Sequence, residues 1–270
     1  VGDGRTGLTN DSTWIKEMKW AQHFSGKSFR QIHEAARSIR AASKTEQNRE
    51  PVDEAAEQEA RALQLLCEGF DREVDHCSWR VKAVPKETLQ CLHGLEAGKP
   101  NSLPFSYDKE ERSRQKYMAI GYRYLGFCWR AHQLGRARAK EELGMAFTTE
   151  QWGLMSDIMQ EIQTELDRLL ESKNKAQLLA EDSGYFSDED SITTDDEYDG
   201  YESAEARTGL GQAIFRFMLA SIQCKVGAAW YGNALLCFCA AAGIRGASEG
   251  YQEPWLYTGT LAALQWLIRP

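Results

Sequence analysis

Two-residue alternation of apolar and polar side chains is almost absent from this 270-residue sequence. With it goes the signature of half-buried strands. A disulfide framework is missing too: seven cysteines, an odd number scattered over a long chain, point to a reducing interior rather than a small secreted domain. No comfortable membrane span exists. The longest uncharged run, Val226 to Ile244, is interrupted by Gly232-Asn233 and flanked by Lys225 and Arg245, so it reads as a buried helix pair. No basic-then-apolar leader opens the chain. It begins at Val1 and stops at Pro270 straight after an apolar run, and is expected to be a piece of a longer polypeptide.

Charge of one sign is absent from a single stretch. Residues 181–205 hold eleven acids and no Lys or Arg, and the remaining 29 acids face 32 bases, so the low overall charge of −8 describes one segment. Outside it the chain is +3. An acidic isoelectric point therefore does not argue against nucleic acid here.

What is present is helical spacing. With 42% hydrophobic and 10% aromatic residues the chain can bury a core. Ile15 and Met18 follow a candidate cap at Asn10–Ser12. Ser28 caps a second helix with Phe29, Ile32, Ala36 and Ile39 on one side. Pro51 suits the first turn of a long helix bearing Leu63, Leu66, Phe70, Val74 and Cys77. Val84-Pro85 resets the chain before a short helix through Leu89, Leu92 and Leu95, and Gly98 to Pro104 is a loop. A long helix is expected from Asp108 to Glu142. Thr148 and Gln151 have capping-box spacing ahead of a helix carrying Trp152, Met155, Ile158, Ile162 and Leu166, which fades near Leu179. Helical pattern resumes over 206–223 and 254–268. The expected fold is all-α, an irregular multi-helix bundle. A bundle of residues 1–180 and C-terminal helices of 206–270, packing on it or on further sequence, flank an acidic linker at 181–205. That linker is too polar to offset its ordering entropy and is expected to be disordered.

Catalytic and metal signatures are weak. Ala21 to Ser28 matches a permissive phosphate-binding loop, but helical residues precede it and Gly26 is its sole glycine, so a helix–Gly26-Lys27 turn and a Ser28 cap is the plainer reading. Cys128 and His132 are one turn apart, yet zinc wants four ligands and no Cys-x2-Cys or His-x3-His partner exists. Neither a metal nor a cofactor is expected. A Cys–His pair meeting in space remains open, although no cysteine is marked as activated. The helix of 108–142 is richer: Arg112, Arg114, Lys116, Arg123, Arg130, Arg136 and Arg138, interleaved with Tyr117, Tyr122, Tyr124 and Trp129, are the candidate phosphate contacts of a DNA surface. The alternative is a solvated face with Arg stems over apolar surface. Asp182-Ser183-Gly184-Tyr185-Phe186-Ser187 has the spacing of a doubly phosphorylated degron. Ser183 and Ser187 are candidate phosphorylation sites for a ubiquitin-ligase reader, the alternative being a plain spacer.

Several phrases occur in an order that resembles a known family: Trp14 to Gly26, Val84 to Gln90, Phe147 to Trp152, Phe215-Arg216-Phe217 and Tyr257 to Leu261. They resemble the region upstream of the helicase core in fungal telomere-linked, RecQ-type helicase-like proteins of mobile or subtelomeric elements. The resemblance implies a nuclear protein acting on DNA, with ATP-driven unwinding housed elsewhere in the parent. No Asp-Glu-x-His box lies in this chain, so no active-site residue is carried over. The resulting expectation is a non-catalytic helical module contacting DNA backbone or organising other domains of its polypeptide. A protein–protein scaffold without nucleic acid is one rival. A recombinase-like DNA enzyme, needing an Arg/His/Arg cluster facing one tyrosine, is another.

Overall fold

The computed structural model describes residues 13–37, 39, 54–94, 98–106, 110–182, 208–224, 233–246, 250–252 and 254–267. These form eleven helices and no strand: α1 (Thr13–Glu17), α2 (Trp20–His23), α3 (Phe29–Ala35), α4 (Glu54–Lys82), α5 (Lys86–His93), α6 (Glu111–Leu134), α7 (Arg136–Leu143), α8 (Thr149–Asp182), α9 (Gly209–Gln223), α10 (Ala234–Ala242) and α11 (Pro254–Leu267). The all-α expectation holds. No helix among the described residues is long and apolar enough to cross a membrane. The expected linker of 181–205 lies outside the described residues except for the last two residues of α8, and so do Ser183 and Ser187.

Local chemistry explains where several helices start. Thr148 and Gln151 form the expected reciprocal cap. Each backbone N–H donates to the other's side-chain oxygen at 3.1 Å, satisfying two donors the first turn leaves open. Ser28 accepts from the Gln31 N–H at 3.4 Å and Thr208 from the Gly211 N–H at 3.0 Å. At α10, Asn233 accepts from Leu235 and Leu236 while its amide donates to the Ser221 and Cys224 carbonyls. One side chain thus caps a helix and ties it to the end of α9.

One boundary differs from expectation. The stretch read as a single helix from 108 to 142 is two, because Gly135 ends α6 and opens α7 with φ 80° and ψ 156°. That region is essentially reserved for glycine, so the helix cannot propagate through it.

Packing centres on α4 and α6, which run antiparallel: Asp71 accepts from Tyr122 and Asp75 pairs with Arg114, so rising numbers on one helix meet falling numbers on the other. Gly121 is required at their crossing, since a Cβ there would sit 2.4 Å from the Phe70 ring. Helix α8 packs along α9, and α11 along α6. Trp20 completes the far end, its ring centroid 5.5 Å from those of Tyr251 and Tyr257. Residues from Ile15 to Trp266 share one core cluster, so the described C-terminal helices pack on the bundle.

Candidate interaction surface

The seven cations singled out in the sequence are not brought together. Arg123 and Arg130 are half-buried and turned inward. Arg123 donates to the Ala36 carbonyl at 2.9 Å, and Arg130 to the Ala35 and Arg37 carbonyls at 2.7 and 3.2 Å. Those carbonyls close α3, whose C-terminal partial negative charge favours a cation. Burial lowers both guanidinium pKa values from their ordinary range. Arg114 pairs with Asp75 and Arg138 with Glu142. Arg136 lies over the Trp152 ring, 4.9 Å from its centroid. Arg112 and Lys116 alone of the seven are exposed without a described partner. Lys27, the lysine of the permissive phosphate loop, does the same work as Arg130 at another helix. Its ammonium donates to the Lys140 and Glu141 carbonyls near the end of α7, at 3.0 and 2.5 Å.

The thiols and imidazoles are likewise internal. Cys237 and His23, 214 residues apart, meet at 3.7 Å, and the same sulfur reaches the Leu143 carbonyl at 3.7 Å. This is the Cys–His encounter that sequence order could not reveal. Its electrostatics oppose a thiolate–imidazolium pair, however. Burial pushes the Cys237 thiol up, and burial with nearby Lys27 pulls His23 down to about 4, so both groups favour their neutral forms. Cys128 is fully buried and its pKa raised by desolvation. His132 contacts the Ser156 hydroxyl at 3.0 Å and stacks on Trp152, so it is not paired with Cys128. Among the described residues no group of three or more His, Cys, Asp or Glu is placed to hold a metal ion. Tyr257, which interacts with Arg123, and Tyr124 are also engaged. Tyr257 donates to the Cys239 carbonyl and Tyr124 to the Ser221 hydroxyl at 2.7 Å, and burial raises both phenols.

A different surface, unmarked by any motif, emerges at the C-terminal end of α4. Trp79, Leu92 and Leu103 are 57%, 52% and 66% exposed, Leu170 of α8 being the one other large apolar side chain above half exposure among the described residues. Chain order and hydrogen bonds keep them at one end of the bundle. The Val84-Pro85 turn joins α4 directly to α5. The loop after α5 folds back on it, with Phe105 N–H donating to the Leu89 carbonyl at 2.9 Å and the His93 ring 2.9 Å from the Leu103 carbonyl. The Arg114–Asp75 pair then sets the first turns of α6 beside the last turns of α4. Arg80, Lys86, Arg112 and Lys116, all exposed and with no described carboxylate partner, lie on α4, α5 and the first turns of α6. In the sequence Leu92 belongs to the apolar stripe of a short helix and Leu103 to a loop, so nothing marked either as exposed.

No protein-family model, curated protein or solved structure matches the chain. The resemblance to a helicase-linked region therefore stands on its five phrases. The structure uses them for packing and turns: Trp20, Phe24, Phe217 and Tyr257 are buried, Thr148 and Gln151 form a cap, and Val84-Pro85 is a turn.

Proposed function

We propose that this chain is a non-catalytic helical docking module, holding acidic peptide segments with aromatic anchors against the Trp79 end of the bundle. One observation carries the reading: large apolar side chains stand in solvent on the same consecutive elements, α4 to the start of α6, that carry cations without described partners, while Arg123, Arg130 and Lys27 are bound to helix ends. An acidic segment would neutralise Arg80, Lys86, Arg112 and Lys116, and its aromatic side chains would cover Trp79, Leu92 and Leu103. Neither half suffices alone, since exposed ion pairs contribute little and apolar anchors set most of an interface's affinity. Such segments belong naturally to other domains of the same polypeptide.

The competing reading, DNA-backbone binding by a nuclear helicase-like protein, now rests on Arg112 and Lys116 with Arg80 and Lys86. Two labelled probes separate the readings by fluorescence polarisation: an acidic peptide containing Tyr and Phe, and a random-sequence DNA duplex. The docking reading predicts saturable peptide binding, at least tenfold weaker in a Trp79→Ser/Leu103→Ser variant, and no saturable DNA binding at low salt. Duplex binding that falls steeply with salt and ignores the double substitution would reject it in favour of DNA.

A further inference from the structure

We infer that Cys237 and His23 form a two-coordinate site for copper(I), a soft ion of single positive charge. The site stands apart from the Trp79 surface and does not rest on the docking reading. Three elements build it: α2 ends on His23, the C-cap of α7 supplies Gly144, and α10 carries Cys237. The His23 Nε2 and the Cys237 Sγ are 3.7 Å apart, and the Leu143 carbonyl is 3.7 Å from the same sulfur. Gly144, at φ 70°, makes the approach possible, since a Cβ there would stand 2.7 Å from Nε2. Cys237 is fully buried. His23 is only partly so, which makes its ring the route inward from solvent.

Ligand number and charge select the ion. Among the described residues no third His, Cys, Asp or Glu completes the pair, which disfavours zinc, calcium and magnesium, all of which take four or more ligands. Copper(I) accepts a thiolate and an imidazole and is satisfied by two donors. Coordination breaks the S–H bond, forms an S–Cu bond and releases the proton to solvent, with no electron transferred. The His23 ring has no proton to lose, because burial and Lys27 already keep it neutral. A thiolate, a neutral imidazole and a singly charged ion sum to zero, the charge state an apolar interior takes at least cost. A divalent ion on the same ligands would leave a buried positive charge near Lys27. Bonds of about 2.3 Å to sulfur and about 2.0 Å to nitrogen span about 4.3 Å in line, so opening the pair by about 0.6 Å seats the ion. The neighbouring thiols are otherwise engaged, Cys128 with the Tyr124 hydroxyl and Cys239 with that of Tyr257.

Anaerobic titration of the full chain with copper(I), in competition with the chromophoric chelator bicinchoninate, measures retention. X-ray absorption at one equivalent reads the ligands. One ion per chain is expected, bound by one sulfur and one imidazole nitrogen. Cys237→Ala and His23→Gln should each weaken retention at least tenfold. Cys91→Ser, at an exposed thiol on α5, should leave it unchanged. The absorption spectrum of the unaltered chain requires no variant to fold. Coordination by sulfur alone in that spectrum, failure to hold copper against the chelator, or equal retention by Cys237→Ala overturns the inference.

Discussion

The two ends of α6 put the same residue types to opposite uses. Towards its C-terminus, Arg123 and Arg130 are drawn inward by the carbonyl end of α3. At its N-terminus, Arg112 and Lys116 stand in water. The difference comes from the neighbour, not the residue. A short helix abutting α6 leaves backbone acceptors that must be satisfied, and the nearest guanidinium supplies the donors. Where the start of α6 meets the flank of α4 and the last turn of α11, no described carbonyl takes a donor from Arg112 or Lys116. Arginine-rich spacing along a helix therefore locates neither a phosphate surface nor a structural cap until the packing is known.

The comparison breaks most sharply at Arg130. Arg130→Ala removes its charge-assisted bonds to the α3 carbonyls and is expected to cost about 2–3 kcal/mol in urea unfolding, with Arg130→Lys recovering part of it. A loss below about 0.5 kcal/mol would mean the inward cations are as dispensable as the outward ones. Gly135→Ala, placing a Cβ at φ 80° between the two cationic helices, should cost about 2 kcal/mol by the same measurement.

His23 sharpens the contrast through pH. Its folded pKa, about 4 against the ordinary imidazole value of 6.5, means the unfolded chain takes up the proton first. The contribution to stability is therefore complete above pH 6.5 and is lost as pH falls towards 4. Discounted for partial exposure, the effect is about 1 kcal/mol. It should vanish from the difference between pH 7 and pH 4.5 unfolding curves in His23→Gln. Smallest of all, Arg112→Ala/Lys116→Ala should leave stability within about 0.5 kcal/mol while weakening acidic-peptide binding in the polarisation assay.

Much of the architecture was readable from side-chain spacing. The Thr148–Gln151 cap, the Ser28 start and the buried stripes of α4 and α8 follow local rules that a single chain segment can express. The break at Gly135 was also available as a glycine after an apolar periodic run. It was obscured because cations continue on both sides of it. Not readable were the contact between Cys237 and His23, the helix ends claimed by Lys27, Arg123 and Arg130, and the exposed cluster of Trp79, Leu92 and Leu103. Each depends on how separate elements pack, which no single segment expresses.

From sequence alone came the helical class, the helix starts and the separation of acidic charge into one stretch, because hydrophobic period, capping chemistry and net charge are local properties. Tertiary packing decided which cations face solvent and which apolar side chains are left uncovered. Those outcomes depend on which helix end or flank lies alongside, and on the free energy of leaving a buried carbonyl without a donor.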